Sequence, residues 1–333
     1  MIFHPTILAL LISSALISLM ISYSAYFGIQ ILRHWNLQDG SEVQLILERR
    51  TYLLSTLLAY LFAFELVSLF FFIYTVDRLH SLFVGAMCAA GSLNVNPYGY
   101  PALVLKIINS LLVGLWLIFN DTDNRAYDYP LIRKKYLLLL VLTPLLLGET
   151  LLQANYFFNL KPDIMTSCCG SLFNPDTGGI SSEMAGLPAL PAKIVFFSLT
   201  ILTIFSGVFF YRRDRGGYLF AGLGGLTFPV SILSIISFIS LYFYELPTHH
   251  CPFCLLQREY FYIGYPLYVA LLGGTVTAMG VGLLMPFRSH PSLKDFLPPF
   301  QKRLALISSI LYVIFAVMVT LRMVFSDFIL EGY

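Results

Sequence analysis

The chain has 333 residues, of which 58% are hydrophobic and only 11% are charged, and its mean hydropathy is +0.78. A soluble domain carries about a quarter charged residues, so this composition excludes an ordinary soluble enzyme and indicates a polytopic membrane protein. The formal net charge is +2 and the chain has no basic tract, so we expect no nucleic-acid partner.

Eight apolar runs are long enough to cross a bilayer, because a helix needs roughly 20 apolar residues to span a hydrocarbon core about 30 Å thick. In chain order they cover approximately 6–32, 53–76, 102–119, 136–159, 192–211, 218–245, 255–286 and 304–325. The first run lacks a positive n-region and is too long for the apolar part of a signal peptide, so we expect it to stay as a helix. The sequence therefore predicts an all-α membrane bundle of about eight transmembrane helices.

The positive charges predict which side of the membrane each loop faces. The loops after spans one, three, five and seven hold 14 of the 20 Lys and Arg residues. Positive residues collect in cytoplasmic loops, so we expect both termini on the exoplasmic side of a bacterial inner membrane. The other loops, which would then face outwards, hold all five cysteines: Cys88, Cys168, Cys169, Cys251 and Cys254. Disulfides form in that compartment, so thiol chemistry is expected there.

Cys251 and Cys254 form the only Cys-x-x-Cys of the chain, in His-His-Cys-Pro-Phe-Cys. At the start of a helix the first thiolate of such a motif is stabilised by unpaired N–H groups and by the helix dipole, and Pro252 fits a first helical turn. Two neighbouring histidines and Arg258 would lower the thiol pKa further. We expect a redox or ligand role; an inert disulfide and a pair of lipid-boundary thiols are the alternatives.

The remaining cysteines leave more than one interpretation open. The Cα atoms of Cys168 and Cys169 are about 3.8 Å apart, which is shorter than an unstrained disulfide requires. The vicinal pair could exchange with Cys251 or bind a soft metal ion. Cys88 follows Met87 in a Gly/Asn/Pro-rich loop, where it could be a resolving thiol, a metal ligand or a small buried residue.

Histidines and intramembrane charges complete the set of candidates. His249 and His250 could transfer protons during thiol exchange or supply a further metal ligand. A haem is not expected, because every histidine lies near a membrane boundary. Glu149 and Lys106 lie inside spans and could pair, either as a structural salt bridge or on a proton path.

The segment Cys-Pro-Phe-Cys-Leu-Leu-Gln-Arg, residues 251–258, resembles the signature of the quinone-reducing disulfide-bond proteins of the DsbB type. The order of spans four to seven, with a cysteine loop before the motif, is similar to the vitamin K epoxide reductase family. The resemblance implies that Cys251 and Cys254 are the quinone-proximal pair, with Arg258, Gln257 and His250 near the quinone. It implies three regions: residues 1–135, a redox-like bundle over 136–286, and a last span in 287–333.

The leading hypothesis is a membrane thiol–disulfide oxidoreductase. Electrons would pass between an exoplasmic thiol protein, the loop cysteines, the Cys-x-x-Cys pair and a membrane quinone. A second hypothesis is a protein that binds or transports Cu, Hg or Zn. Its candidate ligands are Cys88, Cys168, Cys169, Cys251, Cys254, Met87, Met165, His249 and His250. A third is a non-catalytic membrane subunit that joins other subunits in a respiratory or cytochrome-maturation assembly.

Overall fold

The computed structural model describes residues 3–36, 42–161, 164–166, 183–184, 186–328 and 330. Across these ranges the regular structure is helical, and one isolated bridge pairs Val84 with Met165. Eight helical segments in them are long and apolar enough to cross a membrane. The predicted all-α fold with about eight membrane-length helices is therefore confirmed, and the side on which the termini lie stays a prediction.

A helical segment overlaps each predicted span, and the second segment begins earlier than predicted. In chain order they are α1 (Pro5–His34), α2 (Glu42–Arg78), α3 (Ala89–Leu93), α4 (Gly99–Asn124), α5 (Ile132–Phe158), α6 (Ala189–Arg213), α7 (Gly217–Ser234), α8 (Ser240–Tyr244), α9 (Gly264–Leu284) and α10 (Leu297–Phe325). A π-helical turn, Ile235–Ile239, joins α7 to α8, so that these two helices form the sixth membrane-length segment.

The seventh span begins later than the sequence indicates. Cys254–Leu256 and Arg258–Tyr260 form separate 3-10 turns, and Phe261 and Tyr262 both have a φ of 55°. Two consecutive left-handed residues do not continue a right-handed helix, so α9 starts only at Gly264. The prediction that the Cys-x-x-Cys motif opens a helix is therefore wrong.

The chain forms two compact units. The first comprises residues 1–75, 96–160 and 289–297, and in it α5 packs along both α1 and α4. The buried rings of Phe62 and Trp116 meet edge to face with centroids 4.9 Å apart. Polar side chains also join the helices, because Gln153 donates from Nε2 to Ser14 Oγ at 2.9 Å.

A buried ion cluster crosses the first unit. Lys106 Nζ lies 2.9 Å from Glu65 Oε1 and 2.5 Å from Glu149 Oε1, and Asn109 donates from Nδ2 to Glu149 Oε2 at 2.6 Å. The side chains of both ion pairs are at most 2% exposed. Since an unpaired buried charge costs several kcal/mol, this cluster fixes α2, α4 and α5 against one another. The predicted pairing of Lys106 with Glu149 is confirmed, and Glu65 joins it.

The second unit comprises residues 76–95, 161–288 and 298–333, and in it α7 packs between α6 and α9. Small residues allow the close approach of α7 and α9. A Cβ added to Gly224 would lie 2.4 Å from Ala278 Cβ, and one added to Gly282 would lie 2.4 Å from Ala221 Cβ. Packing through small residues is typical of helices in membranes. The end of α2, the short helix α3 and the connection from α8 to α9 belong to this unit.

Candidate functional site

Three of the five cysteines lie together in the second unit. The Sγ atoms of Cys88, Cys251 and Cys254 all lie within 4.8 Å of one another, and all three thiols are buried. The Sγ atoms of Cys88 and Cys251 are 3.5 Å apart. A disulfide has an S–S distance of about 2.05 Å, so a small movement of either side chain would join this pair. We call these three residues the thiol cluster.

Cys88 is the N-cap residue of α3, and the backbone next to it is hydrogen-bonded to a side chain of α2. The Asp77 carboxylate, in the last turns of α2, accepts a hydrogen bond from the Ala89 N–H at 3.0 Å. Gln257 Nε2 donates to the same Asp77 oxygen at 3.1 Å and to the Met87 carbonyl at 3.0 Å. Gln257 therefore joins the Cys-x-x-Cys segment to the segment that carries Cys88.

A tight turn before Cys88 sets the direction of its loop. Gly85 has a φ of 89°, and a Cβ at this position would lie 2.5 Å from the Thr166 carbonyl oxygen. The Thr166 N–H donates to the Val84 carbonyl at 3.0 Å, and its hydroxyl donates to the Gly91 carbonyl at 2.9 Å. Only glycine meets both conditions, because it has no side chain and adopts positive φ readily. The backbone around residue 166 thereby fixes the loop that carries Cys88.

The Cys-x-x-Cys segment is held by two tyrosines. Tyr244, at the end of α8, donates from its hydroxyl to the Cys251 carbonyl at 2.5 Å. Tyr268, in α9, donates to the Pro252 carbonyl at 2.7 Å. These bonds satisfy two carbonyl groups that lie outside the helices, of which that of Cys251 is buried. They also hold the segment that carries Cys251 and leads into the 3-10 turn at Cys254, between two membrane-length helical segments.

The two histidines have different environments. His249 Nε2 lies 3.3 Å from Cys254 Sγ, and its ring meets that of Tyr244 edge to face at 4.6 Å. Burial lowers the pKa of His249 below its ordinary value, so its imidazole is neutral at neutral pH and can accept a proton or bind a metal. His250 instead donates from Nδ1 to the Ile236 carbonyl at 2.9 Å. Of this pair, His249 is therefore the histidine that lies beside a cysteine sulfur.

Three of the other predicted residues have exposed side chains. Arg258 is exposed on a 3-10 turn, and the side chains of Met87 and Met165 are 65% and 83% exposed. Cys168 and Cys169 lie outside the residues that the structure describes. Sequence analysis missed Asp77, although an acidic residue near the end of a long apolar run was a signal for it.

No protein-family model, curated protein or solved structure matches the chain. The fold and the site define its class on their own. The protein is an all-α protein with eight membrane-length helices in its described ranges, and it carries a buried cluster of three thiols with an imidazole beside it. Three thiols in contact can exchange a disulfide among themselves, and three thiols with an imidazole can also bind a metal ion.

Proposed function

We propose that the protein is a membrane thiol–disulfide oxidoreductase that transfers electrons between an exoplasmic thiol protein and a membrane quinone through the thiol cluster. The observation that carries this proposal is the position of Cys251. Its sulfur lies 3.5 Å from that of Cys88, and Cys254 belongs to the same cluster. Cys251 can therefore form a disulfide with either neighbour, which is the property of a thiol that passes a disulfide on.

The exchange within the cluster needs no outside oxidant. The Cys254 thiolate attacks Cys251 of a Cys88–Cys251 disulfide, which forms the Cys251–Cys254 bond and releases Cys88 as a thiolate. The neutral imidazole of His249, 3.3 Å from Cys254 Sγ, is placed to accept the proton of the attacking thiol. The reverse exchange uses the same atoms, so one mechanism serves both directions of electron flow.

The quinone exchanges two electrons with the Cys251–Cys254 pair. Oxidation of the dithiol to a disulfide releases two electrons and two protons, and the quinone takes up both pairs to become a quinol. A cavity of about 600 Å³ supports this part of the proposal, because ligand sites commonly have volumes of about 300–1,000 Å³. Its lining includes Tyr244, Tyr260 and Phe325. Tyr244 also donates to the Cys251 carbonyl, so one side chain contacts both the cavity and the motif.

The exoplasmic partner exchanges electrons at the other end of the cluster. We propose that Cys168 and Cys169 carry a disulfide between the partner protein and Cys88. They follow Thr166 by two and three residues, and Thr166 is hydrogen-bonded to the loop of Cys88. The charge distribution of the loops supports an exoplasmic position.

Thiol labelling in isolated membranes tests the proposal. A quinone or a quinol is added, the membranes are quenched with acid and denatured so that the buried thiols become accessible to an alkylating reagent, and the labelled residues are identified by mass spectrometry. We expect quinone to protect Cys251 and Cys254 from labelling and quinol to restore it. The Cys254→Ser variant should lose the response. Quinone-dependent cycling that survives Cys254→Ser, or a response absent from the wild type, would contradict the proposal and favour a non-catalytic subunit.

A further inference from the structure

We propose that the reduced thiol cluster is also a tetrahedral site for a thiophilic divalent cation of the Zn(II) type. Its ligands would be Cys88, Cys251, Cys254 and His249. This goes beyond electron transfer and does not depend on it, because metal binding requires only the thiols and the imidazole. Among the described residues, the structure groups the three thiols, and His249 Nε2 lies beside one of them, 3.3 Å from Cys254 Sγ.

The distances fit a tetrahedral ion. With Zn–S bonds of about 2.3 Å and Zn–N bonds of about 2.0–2.1 Å, tetrahedral angles give ligand separations of about 3.8 Å between sulfurs and about 3.6 Å between sulfur and nitrogen. The observed separations are 3.5 Å between Cys88 and Cys251 and 3.3 Å between Cys254 and His249. All three sulfurs lie within 4.8 Å of one another. Shifts of about 1 Å or less would bring the three sulfurs to the tetrahedral separations, and the imidazole of His249 would turn from Cys254 towards the other two sulfurs to complete the site.

The donor set selects the class of ion. Three thiolates and one imidazole favour soft or borderline metals over Ca²⁺ and Mg²⁺, which prefer oxygen ligands. Burial of all three thiols also suits a closed structural site. Hydrogen bonds from Tyr244 to the Cys251 carbonyl and from Gln257 to the Met87 carbonyl hold the ligand-bearing segments in place. Such outer contacts commonly change metal affinity by about 10–100-fold.

Metal binding and disulfide formation exclude each other at this site. Three thiols lose their protons when the ion binds, so binding releases up to three protons and leaves a centre with a net charge of −1. Oxidation of Cys251 and Cys254 to a disulfide removes two of the four ligands and would release the ion. A bound ion would in turn hold both thiolates and block their exchange. Electron transfer would therefore stop while the ion is bound and resume when the ion is released.

Cobalt(II) is a suitable spectroscopic probe, because Zn(II) has no d–d spectrum. The reduced, metal-free full chain in detergent is titrated with Co(II) and then with Zn(II). A variant with Cys168→Ser and Cys169→Ser serves as the background, so that the vicinal pair does not contribute. We expect one equivalent of Co(II) to give thiolate-to-cobalt charge-transfer bands and the visible bands of a tetrahedral ion. Zn(II) should remove both sets of bands.

Two variants and one matched control identify the ligands. His249→Gln and Cys88→Ser should each weaken binding by about 100-fold or more, because each removes a direct ligand. His250→Gln should bind as the background does, because His250 donates to the Ile236 carbonyl. Circular dichroism shows whether each variant keeps its helices, and Cys88→Ala serves as a second variant of that ligand.

Three results would overturn the proposal: no stoichiometric Co(II) in the background variant, binding unchanged by Cys88→Ser and Cys88→Ala, or equal loss in His249→Gln and His250→Gln. Quinone-dependent labelling is repeated on the same protein with a chelator present. Loss of metal binding with intact cycling would refute the metal site alone. Intact metal binding without cycling would refute the proposed electron transfer alone.

Discussion

Gly85→Ala should destabilise the second unit and displace Cys88. The φ of 89° at Gly85 lies in a region that costs a residue with a side chain about 1–3 kcal/mol. The added Cβ would also lie 2.5 Å from the Thr166 carbonyl oxygen, whereas Cβ atoms in proteins essentially never approach another atom closer than 3.0 Å. The loop must therefore shift, so this range is a lower bound. We expect a lower midpoint of unfolding in detergent and slower oxidative cross-linking of Cys88 with Cys251.

Gly222→Ala is the matched control, because the same methyl group is added where it meets nothing within 4 Å. Gly222 lies inside α7, where alanine is favoured over glycine by about 0.5–1 kcal/mol. The two variants should therefore shift stability in opposite directions, by about 1.5–4 kcal/mol relative to each other. Equal stability of the two variants, with an unchanged cross-linking rate in Gly85→Ala, would refute the role assigned to the turn.

Three further substitutions test other contacts. Lys106→Met should lower the free energy of unfolding by about 3–5 kcal/mol, because it leaves two buried carboxyl groups without their cation. The control is Lys294→Met at an exposed position, which should change the free energy of unfolding by about 0.5 kcal/mol or less. Equal unfolding midpoints for these two variants would contradict the cluster. Tyr244→Phe removes the hydroxyl donor to a buried carbonyl and should cost about 1–3 kcal/mol, measured in the same way; an unchanged midpoint would argue against that bond. Gln257→Ala should slow cross-linking of Cys88 to the Cys-x-x-Cys pair without preventing the disulfide within that pair, as seen by peptide mapping; wild-type rates would show that its two hydrogen bonds do not position the segments.

The helices could be predicted from the sequence, because the length of an apolar run decides whether it can cross a membrane. The eight runs and the membrane-length helices agree, since a span requires roughly 20 apolar residues wherever it lies in the chain. The start of α9 could not be found in this way. Residues 255–263 contain the polar Gln257, Arg258 and Glu259, but polar residues also occur in the end turns of membrane helices, and the break itself arises from the backbone conformation of Phe261 and Tyr262.

The composition of the thiol cluster was only partly accessible from the sequence. The spacing of Cys251 and Cys254 marks them as a pair, because two residues between thiols is a local pattern. The sequence could not show that Cys88 contacts Cys251, because 163 residues separate them and tertiary packing alone brings them together. Nor could it show which histidine lies beside a sulfur. His249 and His250 are adjacent and chemically identical, so only the backbone conformation decides which ring reaches Cys254.

In the proposed exchange, Cys251 alternates between two disulfide partners. The direct test is mass-spectrometric mapping of disulfides in membranes that are quenched by alkylation, with and without added quinone. We predict that quinone yields peptides in which Cys251 is linked to Cys254 and to Cys88, and that quinol returns all three to the alkylated thiol form. Complete alkylation of Cys88, Cys251 and Cys254 under both conditions would contradict the account.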